Sequence, residues 1–170
     1  MQHLTKNELE ALLYVARKNS ESDWLMILTA YWHGLRASEV VCMTGAQVRD
    51  GYLTVQRLKG SNKTVQPLTD EEREPLQRLA KQVGPDGRLF PIHRKTFWLR
   101  VQRYGKLACI PAHKCHPHIL KHSIAMHTIK AGIENVQAYL GHKNLSSTGA
   151  YLKVDDETAS KAIVAAAGVK

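Results

Sequence analysis

Three separated patches of the sequence, at 34–39, 116–123 and 140–151, hold the residues best suited to chemistry. Between them they supply a tyrosine hydroxyl, histidines, an arginine and a lysine. Fixed cationic donors stabilise the negative charge that grows on the non-bridging oxygens of a phosphodiester under attack. A tyrosine, whose usual pKa is about 10, needs neighbouring groups to help it lose its proton. This combination predicts attack on a phosphodiester without a metal, with Tyr151 and His142 supplied by the last patch.

The first patch places Arg36 and Glu39 three residues apart at the start of a predicted helix. Side chains at this spacing can meet. The Glu39 carboxylate can then hold the Arg36 guanidinium ready for bidentate contact with a phosphate. Taken alone, two such residues more often form an ordinary surface ion pair.

Lys59 and Tyr151 are functional candidates only because of the sequence around them. Lys59 lies at the mouth of a predicted hairpin, from which a mobile ammonium can enter a site and donate a proton to a leaving oxygen. In isolation, a hairpin lysine is mostly a solvated charge. A single tyrosine such as Tyr151 is more often a core residue with its hydroxyl at the surface, but this one closes a segment that also supplies His142.

The middle patch places His118, Lys121 and His122 on one face of a predicted helix. Pro117 suits an early helical position, which puts His118 near a helix N-terminus favourable to anions. His118 can therefore shuttle a proton, and Lys121 can hold a phosphate oxygen. His122 and His127 fit a structural role, hydrogen-bonding between helices.

Metal-binding residue types also cluster around the middle patch, at Cys109, His113, Cys115, His116 and His118. Zinc sites usually show paired ligands at tight, repeated spacing, and no second pair occurs elsewhere in this chain. We therefore expect no zinc site here.

The predicted secondary structure must bring these patches together. Capping boxes at Thr5 and Thr69 each open a helix. Strands are predicted at Val48, 52–56 and 64–68, with turns at 50–51 and 60–63. Helices are predicted from Thr5 and over 22–34, 37–43, 70–82, 95–107, 117–130, 134–140, 147–152 and 156–167, with a loop over 109–116. The expected fold is mainly α with a small antiparallel β-sheet (α+β).

The length and charge of the chain limit the number of domains and the kinds of binding partner that we expect. The 170 residues, 44% of them hydrophobic, suffice for one compact domain. A net charge of +9 makes nucleic acid the expected partner, although charge alone fits a generic solvated basic surface about equally well. The basic residues are dispersed, which argues against binding to an anionic membrane. We see no signal peptide and no apolar run of the roughly 20 residues that cross a membrane. Three cysteines are too few for a disulfide framework. These features predict a cytoplasmic location.

The ordered motifs of the chain resemble the catalytic domain of the tyrosine recombinase (phage integrase) family. The resemblance rests on 34–39, Lys59, 117–123, 140–142 and Tyr151, and it covers essentially the whole chain. The motifs are specific in combination, because several separated motifs agree in residue type, spacing and predicted structure. The segments 32–39 and 57–59 especially resemble the short recombinases that invert fimbrial promoters.

The resemblance implies a role for each matched residue. Tyr151 attacks the scissile phosphate, forming a 3′-phosphotyrosyl bond and releasing a 5′-hydroxyl. Arg36 clamps the phosphate, and Lys59 is the general acid toward the leaving 5′-oxygen. His118 assists proton transfer, and His142 donates to a non-bridging oxygen. The covalent linkage conserves the bond energy, so no cofactor is implied.

Two departures from the family pattern stand out. Lys121 replaces the usual arginine, which keeps the positive charge but loses the planar fork. The N-terminal core-binding domain of the family is expected to be absent, so that residues 1–170 form a single catalytic domain. The chain is then either a piece of a longer recombinase or a genuinely single-domain recombinase of the fimbrial type. Such a domain is expected to bind double-stranded DNA weakly and with strong salt dependence.

The resemblance also implies assembly. The expected partners are paired double-stranded DNA recombination sites, a homo-tetramer on that DNA and accessory DNA-bending proteins, in the bacterial nucleoid or a phage-infected host. The apolar face of a predicted helix at 158–167 fits docking on a neighbouring subunit or packing on its own domain equally well.

Two other functions remain open. A type IB topoisomerase-like enzyme shares the chemistry but needs no partner site. A non-catalytic or weakly active DNA-binding regulator would keep the fold, and Lys121 is the residue that favours it. Among recombinases, integration, excision, inversion and dimer resolution all fit the sequence.

Overall fold

The computed structural model describes residues 2–57 and 62–142. Two of the candidate residues, Lys59 and Tyr151, lie outside these ranges, as do the helices predicted at 147–152 and 156–167. The described helices are α1 (Lys6–Asn19), α2 (Glu21–Trp32), α3 (Ala37–Val41), α4 (Asp70–Val83), α5 (Arg94–Leu107), α6 (Pro117–Thr128) and α7 (Ile133–Leu140). The strands are β1 (Val48–Arg49), β2 (Tyr52–Val55) and β3 (Thr64–Pro67). The predicted α+β class is confirmed.

The two predicted capping boxes open α1 and α4. At α1, the Thr5 amide donates to Glu8 Oε2 at 2.7 Å, and the Glu8 amide donates to Thr5 Oγ1 at 3.1 Å. At α4, the amide of Thr69 donates to Glu72 Oε1 at 2.9 Å. Each box satisfies amides that a helix N-terminus would otherwise leave unpaired.

Helix α2 is the central element of the core. Every residue from Asp23 to Tyr31 is buried, as expected of a helix that is apolar nearly all round. Helices α1, α4 and α6 pack around it. The helix ends at Trp32 with His33 as its C-cap, and the next residue, Gly34, has a φ of +56° that suits a residue without a side chain. Consequently the turn that leads to Arg36 starts from the middle of the domain.

The small sheet is antiparallel in the order β1-β2-β3. Asp50 and Gly51 join β1 to β2 with φ of 53° and 81°, the pair of positive values that a tight two-residue hairpin turn requires. The β2–β3 pairing sets Leu53 opposite Gln66. Gln66 is buried whereas Val65 is exposed, and Gln66 Oε1 lies 2.6 Å from Nδ1 of the buried His33.

Element boundaries differ from prediction by a few residues. The helix predicted at 37–43 ends at Val41. The loop predicted at 109–116 contains a 3-10 turn, Ala112–Lys114, and the helix predicted at 117–130 passes into another, Ile129–Ala131. Over 2–57 and 62–142, no helix has the length and apolar character needed to cross a membrane.

Candidate active site

The turn after α2 positions Arg36. The Arg36 amide donates to Glu39 Oε2 at 2.8 Å, and Arg36 Nη1 donates to Glu39 Oε1 at 3.2 Å. The Glu39 side chain is 2% exposed, whereas that of Arg36 is 32% exposed. The carboxylate therefore fixes both the backbone and the guanidinium of Arg36, while part of the guanidinium still faces outward. This is more than the surface ion pair that the two residues alone would suggest.

Helix α6 carries His118, Lys121 and His122 along its length. His118 is exposed near the helix N-terminus. Partial burial of the ring is the main cause that lowers its pKa, and the charges of Lys121, His116 and Arg36 add to the effect. The imidazole is therefore neutral at neutral pH and can accept a proton.

The side chain of His122 packs edge-on against that of His118, with ring centroids 4.3 Å apart. Burial is the main cause that lowers the pKa of His122 to about 4, and interactions with His118, His116 and Lys121 add to the effect. His127 lies between the Tyr31 hydroxyl and the Leu4 carbonyl, at 2.8 Å from each. The structural role predicted for His127 is confirmed.

Lys121 lies in the interior with only 2% of the residue exposed. Its Nζ has no hydrogen-bond partner among the described residues. Burial, followed by the charges of Arg57 and Arg36, lowers the pKa of Lys121 to about 7, and Glu39 offsets this only in part. An unpaired buried amine is ready to receive an anion. Sequence reasoning identified this cation but not its burial.

The buried Lys121 amine should make stability depend on pH. Its pKa is about 7 in the folded protein against an ordinary 10.5, so the unfolded chain binds more protons between these values and stability rises with pH. Lys121→Met should therefore stabilise the protein most at and below pH 7, by a few kcal/mol at about 1.4 kcal/mol per unit of pKa shift. Urea unfolding of parent and variant at a mildly acidic and a mildly alkaline pH measures this.

The control for this experiment is Lys130→Met, which removes an exposed lysine from the turn after α6. A gain in unfolding free energy for Lys121→Met that is equal at the two pH values would contradict a buried amine near its titration point.

His142 follows the last turn of α7. The helix ends at Leu140, and its C-cap Gly141 has a φ of +69°. The His142 amide donates to the Gln137 carbonyl at 3.1 Å. Burial and then the charges of Lys121, Arg36 and Arg57 lower the pKa of His142 to about 4. These three cations act on His142 from different elements: Lys121 from α6, Arg36 from the α2–α3 turn and Arg57 from just after β2.

Arg57, just after β2, is a residue of the site that sequence reasoning did not single out as functional. Its side chain is fully buried and donates from Nη1 to Gly34 O at 2.9 Å and from Nη2 to Tyr139 O at 3.1 Å. Burial lowers the pKa of Arg57, and Glu39 opposes this effect. The alternation of Leu53, Val55 and Arg57 along the strand was the available signal, because it puts an arginine on the inward face.

A groove of about 1110 Å³ opens beside His118. Its walls come from the start of α5, including Arg94, Lys95 and Trp98, and from the segment leading into α6. Arg94 and Lys95 are exposed, and Trp98 is 41% exposed. The groove thus presents positive charge and an aromatic face next to the candidate active site.

Two of the metal-type residues near α6, Cys115 and Cys109, have different surroundings. Cys115 is buried, and its thiol contacts the carbonyl of Ile110 at 3.6 Å. Cys109 is exposed. Within the part of the chain that the structure describes, no three His, Cys, Asp or Glu side chains are grouped so as to hold an ion.

The fold is that of the tyrosine recombinase catalytic domain. The XerH site-specific recombinase, solved in a pre-cleavage complex with its difH substrate, superposes with a TM-score of 0.78 at 22% identity, covering 96% of this chain and 54% of that one. The catalytic domain of bacteriophage HP1 integrase gives 0.68 at 24% identity, covering 96% of this chain and 94% of that one. The predicted fold is confirmed.

The sequence belongs to the phage integrase family, which it matches over residues 2–158. A tyrosine recombinase of Pseudothermotoga lettingae is 34% identical over 173 residues, covering 94% of this chain and 59% of the relative. The chain therefore spans about three fifths of the length of that relative. The family predicted from the separated motifs is confirmed.

Proposed function

We propose that this chain is the catalytic part of a site-specific recombinase that cleaves and rejoins double-stranded DNA through a 3′-phosphotyrosyl intermediate. The observation that carries the proposal is the convergence of Arg36, Lys121 and His142 from three separate elements; the positive charge of Arg36 contributes to the lowered pKa of both Lys121 and His142. Convergent cations and N–H donors of this kind stabilise a phosphoryl transition state. Family membership supports the same reaction.

In the proposed cleavage step, the Tyr151 oxygen attacks the scissile phosphorus and its proton passes to His118. The bond between phosphorus and the 5′-oxygen breaks, and that oxygen leaves with the electron pair and takes a proton from Lys59. Rejoining reverses the step: a 5′-hydroxyl attacks the phosphotyrosine and the tyrosine leaves. Each strand transfer exchanges one ester for another, so no energy source is required.

The described residues supply the electrostatic part of this mechanism. Arg36, held by Glu39, clamps a non-bridging oxygen in a fixed orientation. His142, neutral because its pKa is about 4, donates one ring N–H to the same phosphate. The phosphate charge raises the pKa of Lys121, so the amine takes up a proton as DNA binds.

A suicide-substrate assay tests the proposal. A nicked duplex made from the DNA flanking the gene should trap a covalent protein–DNA adduct, and peptide mass spectrometry should map the attachment to Tyr151. Two-site plasmids should then give recombinant products, whereas a topoisomerase-like enzyme would only relax one-site and two-site plasmids. Absence of any adduct with every flanking repeat would overturn the proposal.

A DNA-binding regulator without efficient cleavage is the second candidate. The observation that favours it is Lys121, a buried point charge without the bidentate fork of an arginine. A regulator would bind the flanking repeats with sequence preference and give no adduct. The same assay, run beside a binding measurement, therefore separates the two functions.

The basic groove beside His118 is the surface proposed to contact the duplex backbone. Lys95→Glu should weaken binding to a random-sequence duplex and reduce the slope of log affinity against log salt by about 0.9 for each phosphate that the protein no longer neutralises. Fluorescence anisotropy over a salt series measures both quantities. Lys81→Glu, an equal change of charge at an exposed position that does not line the groove, is the matched control. Equal weakening by both variants would contradict a groove-specific interaction.

A further inference from the structure

Arg57 makes its contacts where the carboxyl ends of two helices meet. Besides Gly34 and Tyr139, its guanidinium donates from Nη2 to His33 O at 2.9 Å and from Nη1 to Glu39 Oε2 at 3.3 Å. His33 is the C-cap of α2, and Tyr139 lies in the last turn of α7. The last carbonyls of a helix have no partner within it and carry partial negative charge. A buried guanidinium satisfies both ends at once.

The acceptors of Arg57 are close in sequence to the candidate catalytic groups. Gly34 precedes Arg36 by two residues, and Tyr139 precedes His142 by three. Glu39 binds Arg36 through the backbone and the side chain. One planar group with fixed donor directions therefore links the turn that carries Arg36 to the turn that carries His142.

The backbone approaches closely at the same place. A side chain at Gly141 would put its Cβ 3.1 Å from Arg57 Cγ and 2.7 Å from Asn62 O. The Asn62 amide also donates to the Gly141 carbonyl at 3.1 Å. Arg57 and Asn62, the described residues on either side of positions 58–61, therefore both contact the end of α7 just before His142.

We propose that Arg57 is a positioning residue, which sets the separation between Arg36 and His142 by bridging the carboxyl ends of α2 and α7. The residue acts through the main-chain carbonyls of Gly34 and Tyr139 and through Glu39, and it does not touch the substrate. Its catalytic consequence rests on the function proposed above. A lysine at this position keeps the charge but cannot direct donors to both carbonyls.

The first test compares Arg57→Met and Arg57→Lys with the parent. A misplacement of about 1 Å in a catalytic group can cost on the order of 100-fold in rate. We therefore expect adduct formation at saturating DNA to fall about 100-fold in Arg57→Met and less in Arg57→Lys. DNA affinity, measured by anisotropy, should change only a few-fold, because Arg57 is buried away from the duplex. A large loss of rate with little loss of DNA affinity would distinguish misplaced reacting groups from weakened binding.

Arg100→Met is the matched control for reduced stability. Arg100 pairs with Asp23, whose other carboxylate oxygen accepts from the Tyr104 hydroxyl at 2.6 Å. This variant also breaks a partly buried ion pair, but none of its partners borders the candidate site. It should keep the parental adduct rate well below its melting temperature. An equal loss of rate in Arg100→Met and Arg57→Met would reduce Arg57 to a general stabilising residue.

Amide hydrogen exchange on the DNA-free protein gives a readout that does not require cleavage. In Arg57→Met, and more weakly in Arg57→Lys, amides at 34–36 and 139–142 should lose protection together, about tenfold or more, because their shared anchor is gone. Unchanged protection at both turns in folded variants would overturn the inference. If the parent forms no adduct, the recombinase proposal fails, while the exchange data still decide whether Arg57 ties the two turns together.

Discussion

Replacing Tyr151 with phenylalanine is expected to abolish the covalent protein–DNA adduct. The substitution removes the attacking oxygen and leaves the ring, so binding and folding should persist. Removal of a nucleophile lowers turnover on the order of 10⁴-fold or more in enzymes whose catalytic groups act as a unit. The measurement is suicide-substrate trapping resolved on a denaturing gel, with DNA affinity followed in parallel.

Tyr52→Phe provides the control for removal of a phenol hydroxyl. Tyr52 lies on β2 and is half exposed, and it borders neither the groove nor the converging cations. The variant should trap DNA at the parental rate. A persistent adduct in Tyr151→Phe, mapped to another residue, would show that the nucleophile has been assigned wrongly.

Arg36→Gln is expected to have the second largest effect. The removal of one fixed donor at a developing oxyanion costs on the order of 10²–10³ in rate. Glu39 accepts one hydrogen bond from the Arg36 guanidinium and one from the Arg36 backbone amide. A glutamine at position 36 cannot reproduce the direction or the charge of the guanidinium. Single-turnover adduct formation at saturating duplex should fall by that factor, whereas affinity should fall far less.

The control variant for Arg36→Gln is Arg49→Gln. Arg49 forms an exposed ion pair with Asp50 at the β1–β2 turn, and such pairs contribute little. The substitution removes the same charge from the domain without touching the site. Cleavage by Arg36→Gln within a few-fold of the parent would contradict a phosphate-clamping role.

The features that the sequence predicted correctly are those with local causes. The capping boxes at Thr5 and Thr69 use residues three apart, and the turn at Asp50 and Gly51 needs only backbone conformations that these residues tolerate. The family was predicted because several such local motifs recur in a fixed order. In each case the causal partners are neighbours along the chain.

The environments of Lys121 and Arg57 could not be predicted in the same way. The low pKa of Lys121 depends on burial and on charges from two other segments. The carbonyls that bind Arg57 are 23 and 82 residues away. Which helix ends face an inward arginine is a property of the packing. The roles assigned to Lys59 and Tyr151 stay predictions, since both lie outside the described residues.

The buried Gln66 and exposed Val65 have a consequence for any attempt to redesign the hairpin. The apolar side chain of Val65 faces water and the amide of Gln66 lies in the interior. This is the reverse of the usual pattern, in which buried apolar side chains set the register of a strand. The hydrogen bonds of Gln66 with His33 and the Tyr139 carbonyl, at 2.6 and 2.7 Å, select the correct alignment. Gln66→Val would remove these hydrogen bonds, and two registers of β3 against β2, one residue apart, would then have similar stability. An engineer guided by hydrophobicity alone would thereby misalign the strand that follows the Lys59 segment.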